Sequence, residues 1–95
     1  MSAPVQPVVR WLAFNVNHNV RVKLTDRGRE IHRENFDRFL QLCPAFPYPY
    51  RKPEEDAEGW SKWQMWDLMK EFGSHMNMGT PLPFETSIEL DVEST

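Results

Sequence analysis

From Leu12 to Leu24 the chain alternates with a period of two. Leu12, Phe14, Val16, His18, Val20, Val22 and Leu24 share one parity, and Asn15, Asn17, Asn19, Arg21, Lys23 and Thr25 share the other. Only a half-buried strand separates side chains this way, placing one row in a core and the other in water. The pattern runs directly into Thr25-Asp26-Arg27-Gly28, where a threonine can cap a helix whose first turn carries an acid. A strand that feeds a capped helix restricts the chain to folds that mix the two. Asn15 to Asn19 is turn-forming rather than strand-forming sequence. Two strands, about 8–14 and 20–25, joined by a turn or bulge are therefore expected, with one long bent strand as the alternative.

The helix that begins at Asp26 places Gly28, Ile31, His32, Asn35, Phe39 and Leu42 on one side, flanked by Phe36 and Cys43. Arg29, Glu30, Arg33, Glu34 and Asp37 lie opposite, and Pro44 ends the helix. Residues 44–59 form a connector with four prolines in its first ten residues and rings between them, followed by Glu54, Glu55, Asp56 and Glu58. Its first part is expected to be stiff and extended, and its acidic part a solvated loop. Ser61 and Gln64 have the spacing of a capping box, with Trp60 and Met65 at the staple positions. They predict a second helix over 62–72, closed by Gly73, with Met65, Leu68, Met69, Phe72 and Trp66 on its apolar face. Phe84, Thr86, Ile88, Leu90 and Val92 then alternate with Glu85, Ser87, Glu89, Asp91 and Glu93, which predicts a last strand. Its acidic row could pair with Arg21 and Lys23. The expected fold class is α+β: a small antiparallel sheet of two to three strands with two helices packed on one face. With 95 residues, the chain is read as one domain, residues 1–95, in which 1–7 is a loose leader.

Composition narrows the functional classes. A lone cysteine, Cys43, gives neither an internal disulfide nor a zinc spacing, and it suits a reducing compartment. No apolar run approaches the roughly 20 residues that span a bilayer, and the N-terminus has no secretory pattern. His18, His32 and His75 are scattered, so no metal site is expected, and Cys43 is read as a buried structural residue. No phosphate-cradling glycine loop occurs, the connector acids lie where no scaffold would hold a general acid, and no cofactor is implied. The chain is expected not to be an enzyme. Net charge is −3, but residues 1–53 carry +5 and residues 54–95 carry −8. Either the halves attract each other within the fold, or the surface has a basic and an acidic side.

Twelve aromatic residues can serve as core or as interface anchors. Trp63 falls on the polar side of the expected second helix, beside Lys62, Asp67 and Lys70. Two readings are open. The connector rings Phe46, Tyr48 or Tyr50 could fold over it. Alternatively, Trp60, Trp63, Gln64 and Asp67, with Tyr48, Tyr50, Arg51 and Lys52, could form an aromatic and polar surface for a ligand or partner.

Val20 to Ile31, with its Leu24-Thr25-x-x-Gly28-Arg29 core, resembles the passage from wing strand to helix in winged-helix repressors. No recognition-helix sequence precedes it, and acids are interleaved with the bases, so nucleic acid is an unexpected partner. A wider pattern joins Asn17-x-x-Val20-x-Val22-Lys23-Leu24-Thr25-x-x-Gly28, Gln64-Met65-Trp66-Asp67-Leu68-Met69, Phe72-Gly73-x-His75-Met76 and Pro83-Phe84-Glu85-Thr86. It resembles small accessory proteins of tailed bacteriophages and prophages. The resemblance implies a bacterial cytoplasm and a binding protein for a host protein or small signalling molecule, including an inhibitor of host defence. It brings no catalytic or binding residues with it. A homo-oligomeric assembly or virion accessory is the alternative expectation, and a DNA-binding regulator the weaker one.

Overall fold

A computed structural model describes residues 10–92. Its elements are β1 (Asn19–Lys23), α1 (Asp26–Leu42), β2 (Trp60–Gln64), α2 (Met65–Phe72), a 3-10 turn (Gly73–His75) and β3 (Glu89–Leu90). The sheet is antiparallel in the order β2-β1-β3, so the strand that the alternation predicts most clearly is the central one. Val20, Val22 and Leu24 form its inner row. Ile31 of α1, Leu68 and Phe72 of α2, and Phe84 close over that row. Both helices therefore pack on one face of the sheet, as the α+β pattern requires.

The junction between β1 and α1 is tied twice to the returning chain. Thr25 caps α1 by accepting the Gly28 N–H (3.1 Å). The same hydroxyl donates to the Leu82 carbonyl, and the Thr25 N–H donates to the Pro83 carbonyl (3.0 Å). Gly28 is buried against that carbonyl, and a Cβ built on it would overlap the Pro83 oxygen. Here glycine is required by close approach rather than by backbone conformation.

Four expectations are corrected. Residues 10–14 form no strand, and the rest of the expected strand, 8 and 9, lies outside the described residues. Phe14 instead packs against the core edge, and Asn15 closes a turn by accepting the His18 N–H (2.8 Å) and, through its side chain, the Asn17 N–H (2.8 Å). This turn has a second use. The carbonyls of His18 and Val16 accept the N–H groups of Met65 (3.0 Å) and Trp66 (2.9 Å), satisfying donors that the start of α2 leaves open.

The second correction concerns 60–64, which is a strand and not the start of a helix. It pairs with β1 from Asn19↔Gln64 to Lys23↔Trp60. The Ser61–Gln64 spacing is not a capping box: α2 begins at Met65, and Gln64 makes no side-chain cap. Third, the last strand is far shorter than 84–92. Phe84 bridges Leu24, whereas Glu89 and Leu90 pair with Arg21 and Val20, so two extra residues loop out between them. Phe84 is held in place by the core and by the neighbouring Pro83 contacts, which sets the first pairing independently of the second. Fourth, Cys43 is exposed rather than buried, because α1 runs on past the core: only Gly28 and Ile31 are buried along it.

Beyond Ile31 the connector covers α1. Phe46 packs edge-on to Phe36 (6.2 Å between centroids) and Phe39 (5.1 Å), and Tyr50 lies against Phe36 (5.3 Å). The acidic stretch is not merely a solvated loop. Glu55 pairs with Arg29 through two contacts (2.8 and 3.0 Å), and Asp56 accepts the N–H groups of Glu58 (3.0 Å) and Trp60 (2.8 Å) through its side chain. Gly59, with φ of 89°, completes this turn into β2.

Gly28→Ala is expected to destabilise the fold by about 1–3 kcal/mol through overpacking against Pro83. Gly73→Ala has open space and a right-handed conformation, and it should stabilise by about 0.5 kcal/mol. Urea midpoints of the two variants check the pair.

Candidate functional site

Because successive strand residues face opposite sides of a sheet, reassigning 60–64 to β2 redistributes the expected surface residues. Trp63 turns inward with Val20. Its ring meets Phe72 (5.4 Å, edge-on) and His32 (6.0 Å), and its indole N–H donates to the buried Ser61 hydroxyl (2.8 Å). The tryptophan that is out of phase for a helix is in phase for a strand, as part of the core wall. His32 also hydrogen-bonds the Tyr50 hydroxyl (2.8 Å), so the connector reaches this wall through Tyr50.

Trp60 faces the other way, onto the side of the sheet that carries no helix. The Arg21 guanidinium lies 4.6 Å from its ring centroid and the Lys23 ammonium 5.0 Å, a double cation–π arrangement. Arg21 is cross-strand from both Lys62 and Glu89 and forms an ion pair with Glu89. Thus one of the two pairings expected for the basic strand exists, while Lys23 serves the indole instead. Around Trp60 runs an open groove of about 620 Å³, walled by Arg21, Lys62, Glu54, Glu55, Glu89 and Asp91 among others. Five carboxylates and two cations line it, the fifth carboxylate being Asp56.

The remaining expected residues go elsewhere. Gln64 sits at the end of β2 and donates to the Asn17 carbonyl (3.0 Å). Asp67 is half-buried in the first turn of α2. Tyr48 is exposed and edge-on to Phe46 (5.4 Å), while Tyr50 is half-buried beneath the Arg33 guanidinium (4.6 Å). Arg51 and Lys52 are exposed, and Arg51 joins Phe36, Phe46, Tyr48 and Pro49 around a second hollow of about 450 Å³. The eight residues do not make one patch. Trp60 belongs to the outer groove, Tyr48 and Arg51 to the connector hollow, and Trp63 to the core wall. The groove residues that sequence reasoning left out of the site, Arg21, Lys62, Glu54, Glu55 and Glu89, were visible only as strand or loop charges. Their convergence depends on β2 being a strand.

Ionisation in the groove reflects structural use. The hydrogen bond from Arg29 holds the Glu55 carboxyl below its ordinary value, against the opposing effect of burial. Arg29 is correspondingly raised, chiefly by Glu55. Burial raises the Tyr50 phenol, with Arg33 opposing, so Tyr50 remains a neutral partner for His32. Among the described residues no group of three or more His, Cys, Asp or Glu could hold a metal ion, and no helix is long and apolar enough to cross a membrane.

Trp63→Ala is expected to cost about 3 kcal/mol as a core truncation. Trp60→Ala should cost only about 1 kcal/mol, the worth of an exposed cation–π contact. Chemical denaturation of both variants would reveal any inversion of that order. Glu55 has a depressed folded pKa, so its contribution is present above the ordinary glutamate range and is lost as pH falls through the folded value. The stability difference between wild type and Glu55→Gln should therefore shrink towards zero on acidification. A difference that stays constant with pH would show that the ion pair is not its source.

No family model, curated protein or solved structure matches this chain, so what it does rests on these residues.

Proposed function

We propose that this chain is a non-enzymatic binding protein that engages a component of a bacterial host, with the helix-free side of its sheet as the recognition surface. The observation that supports this most is the groove around Trp60. A small domain has little aromatic surface to spare, yet this indole lies outside the core and is kept in place by two cations. Rigid aromatics ringed by polar groups are the residues that dominate protein interfaces. The preponderance of carboxylates in the lining favours a basic segment of a host protein over a phosphate-bearing ligand. Three of the groove's carboxylates are engaged in ion pairs or turn closure: Glu55 with Arg29, Glu89 with Arg21, and Asp56 with backbone N–H groups. A carboxyl pushed down in pKa is poorly placed for proton transfer near neutrality, which supports binding over acid–base chemistry. The resemblance to phage accessory proteins supports a bacterial cytoplasmic setting and a role against host defence.

Tagged wild-type protein, Trp60→Ala and Glu54→Lys would be used to capture host proteins from a bacterial lysate, with the captured species then titrated in purified form. The proposal expects each variant to weaken binding by about tenfold or more, or about 1.4 kcal/mol, with melting of Glu54→Lys unchanged. Undiminished binding by both variants would exclude the groove. Small-molecule mass retained in native mass spectrometry would point to sequestration of a signalling molecule instead.

A further inference from the structure

The two walls of the Trp60 groove are held in different ways. On one side Glu89 and Leu90 belong to β3, and main-chain pairing with β1 sets their place. The other wall, Glu54 to Asp56, lies in no helix or strand. Two anchors hold it. At one end the Asp56 N–H donates to the Trp60 carbonyl (2.9 Å), and the Asp56 side chain accepts the N–H groups of Glu58 and Trp60. The second anchor is the ion pair of Glu55 with Arg29, a residue of α1 that does not line the groove.

Arg29 uses all three guanidinium nitrogens here. Nε and Nη2 donate to the two Glu55 oxygens (3.0 and 2.8 Å), Nη1 donates to Asp26 (2.8 Å), and Nη2 also donates to the Leu24 carbonyl (3.3 Å). The connector is thereby tied to the end of β1 and to the first turn of α1 at once. A two-point grip on a carboxylate fixes its direction as well as its distance. Glu55 is also the least exposed carboxylate in any ion pair among the described residues, at 24% against 50% or more for the others, so water screens it least. Its neighbour Glu54 is exposed and makes no hydrogen bond or ion pair among the described residues. Glu55, Asp56, Glu89 and Asp91 each have a partner. Glu54 is thus the groove carboxylate open to an incoming cation, and it stands between half-buried Pro53 and the pinned Glu55.

We propose that Arg29 is the positioning residue of the groove: without touching the ligand, it holds Glu55 and so sets the Glu54 carboxylate in the groove to receive a cation of the partner. This role rests on the groove being the recognition surface for a basic segment. Two effects then oppose each other when Arg29 is removed. The Glu55 carboxylate is freed and the groove becomes more negative, so charge alone would strengthen cation binding. Loss of position weakens it, because a carboxylate on a loosened segment has to be ordered again on binding. Positioning is the larger effect, which gives the role a sign that charge alone does not predict.

Wild type, Arg29→Ala, Glu55→Gln and the control Arg27→Ala would be compared as full chains by amide relaxation NMR and by titration with hexaarginine, its site read from the Trp60 indole resonance. Among the described residues Arg27 pairs only with Glu30 and Glu34 of its own helix. In Arg29→Ala and Glu55→Gln the backbone order parameters of Glu54 and Glu55 should fall from about 0.85 to about 0.6 or below. Hexaarginine should bind each of these two variants at least about fivefold more weakly than wild type. Arg27→Ala should match wild type in both measurements. Unchanged order at Glu54 and Glu55 overturns the proposal. So does tighter binding by Arg29→Ala, the result that charge alone requires. A wild type whose Trp60 resonance hexaarginine does not move refutes the groove as a cation site and the proposal with it, whereas failure in the variants alone refutes only the role of Arg29.

Discussion

Everything in this fold is referenced to the short passage from Leu24 to Gly28. Within five residues the central strand ends, α1 is capped, and the returning chain is held by the Thr25 hydroxyl, the Thr25 N–H and the bare Cα of Gly28. That close approach fixes Pro83, and Pro83 delivers Phe84 into the core beside Phe72 (6.0 Å between rings). The seven buried hydrophobic residues among those described make a core with little redundancy, so one misplaced segment would open it. The backbone contacts at this junction substitute for the burial that a larger domain could draw on.

The legible parts of the fold were those in which local signals and tertiary demands agree. Val20, Val22 and Leu24 alternate because β1 is central, and Thr25 with Gly28 reads as a cap followed by a close contact. The 60–64 stretch reads as a helix start for a physical reason. Trp60 and Trp63 are three apart, a helical spacing, and Ser61 and Gln64 imitate a cap. Yet the two rings occupy opposite faces of a strand, one covered by cations and one by Phe72, while the inward position between them holds a serine. No hydrophobic alternation can survive such an arrangement. Pairing with β1, which is non-local, decides the conformation.

The candidate site was legible in its parts but not in its grouping. Aromatic and charged residues stand out in the sequence, but which of them share a surface depends on strand parity. A single change of element moved Trp63 into the core wall and left Trp60 among Arg21, Lys23 and Lys62. The connector shows the same limitation. Glu55 and Asp56 looked like solvated acids because their partners, Arg29 and the Trp60 N–H, become neighbours only once α1 and β2 are in place.

The looped-out residues between Phe84 and Glu89 bear on how this chain can change length. Two residues of slack keep Leu90 in the same row as Val20 and Glu89 opposite Arg21. Side-chain direction repeats every two residues, so an insertion or deletion of two in 85–88 would preserve both rows. One of a single residue would take Leu90 out of the row of Val20 and Glu89 out of the row of Arg21. The segment thus acts as a length buffer with an even-numbered rule, and natural variation in it should come in steps of two.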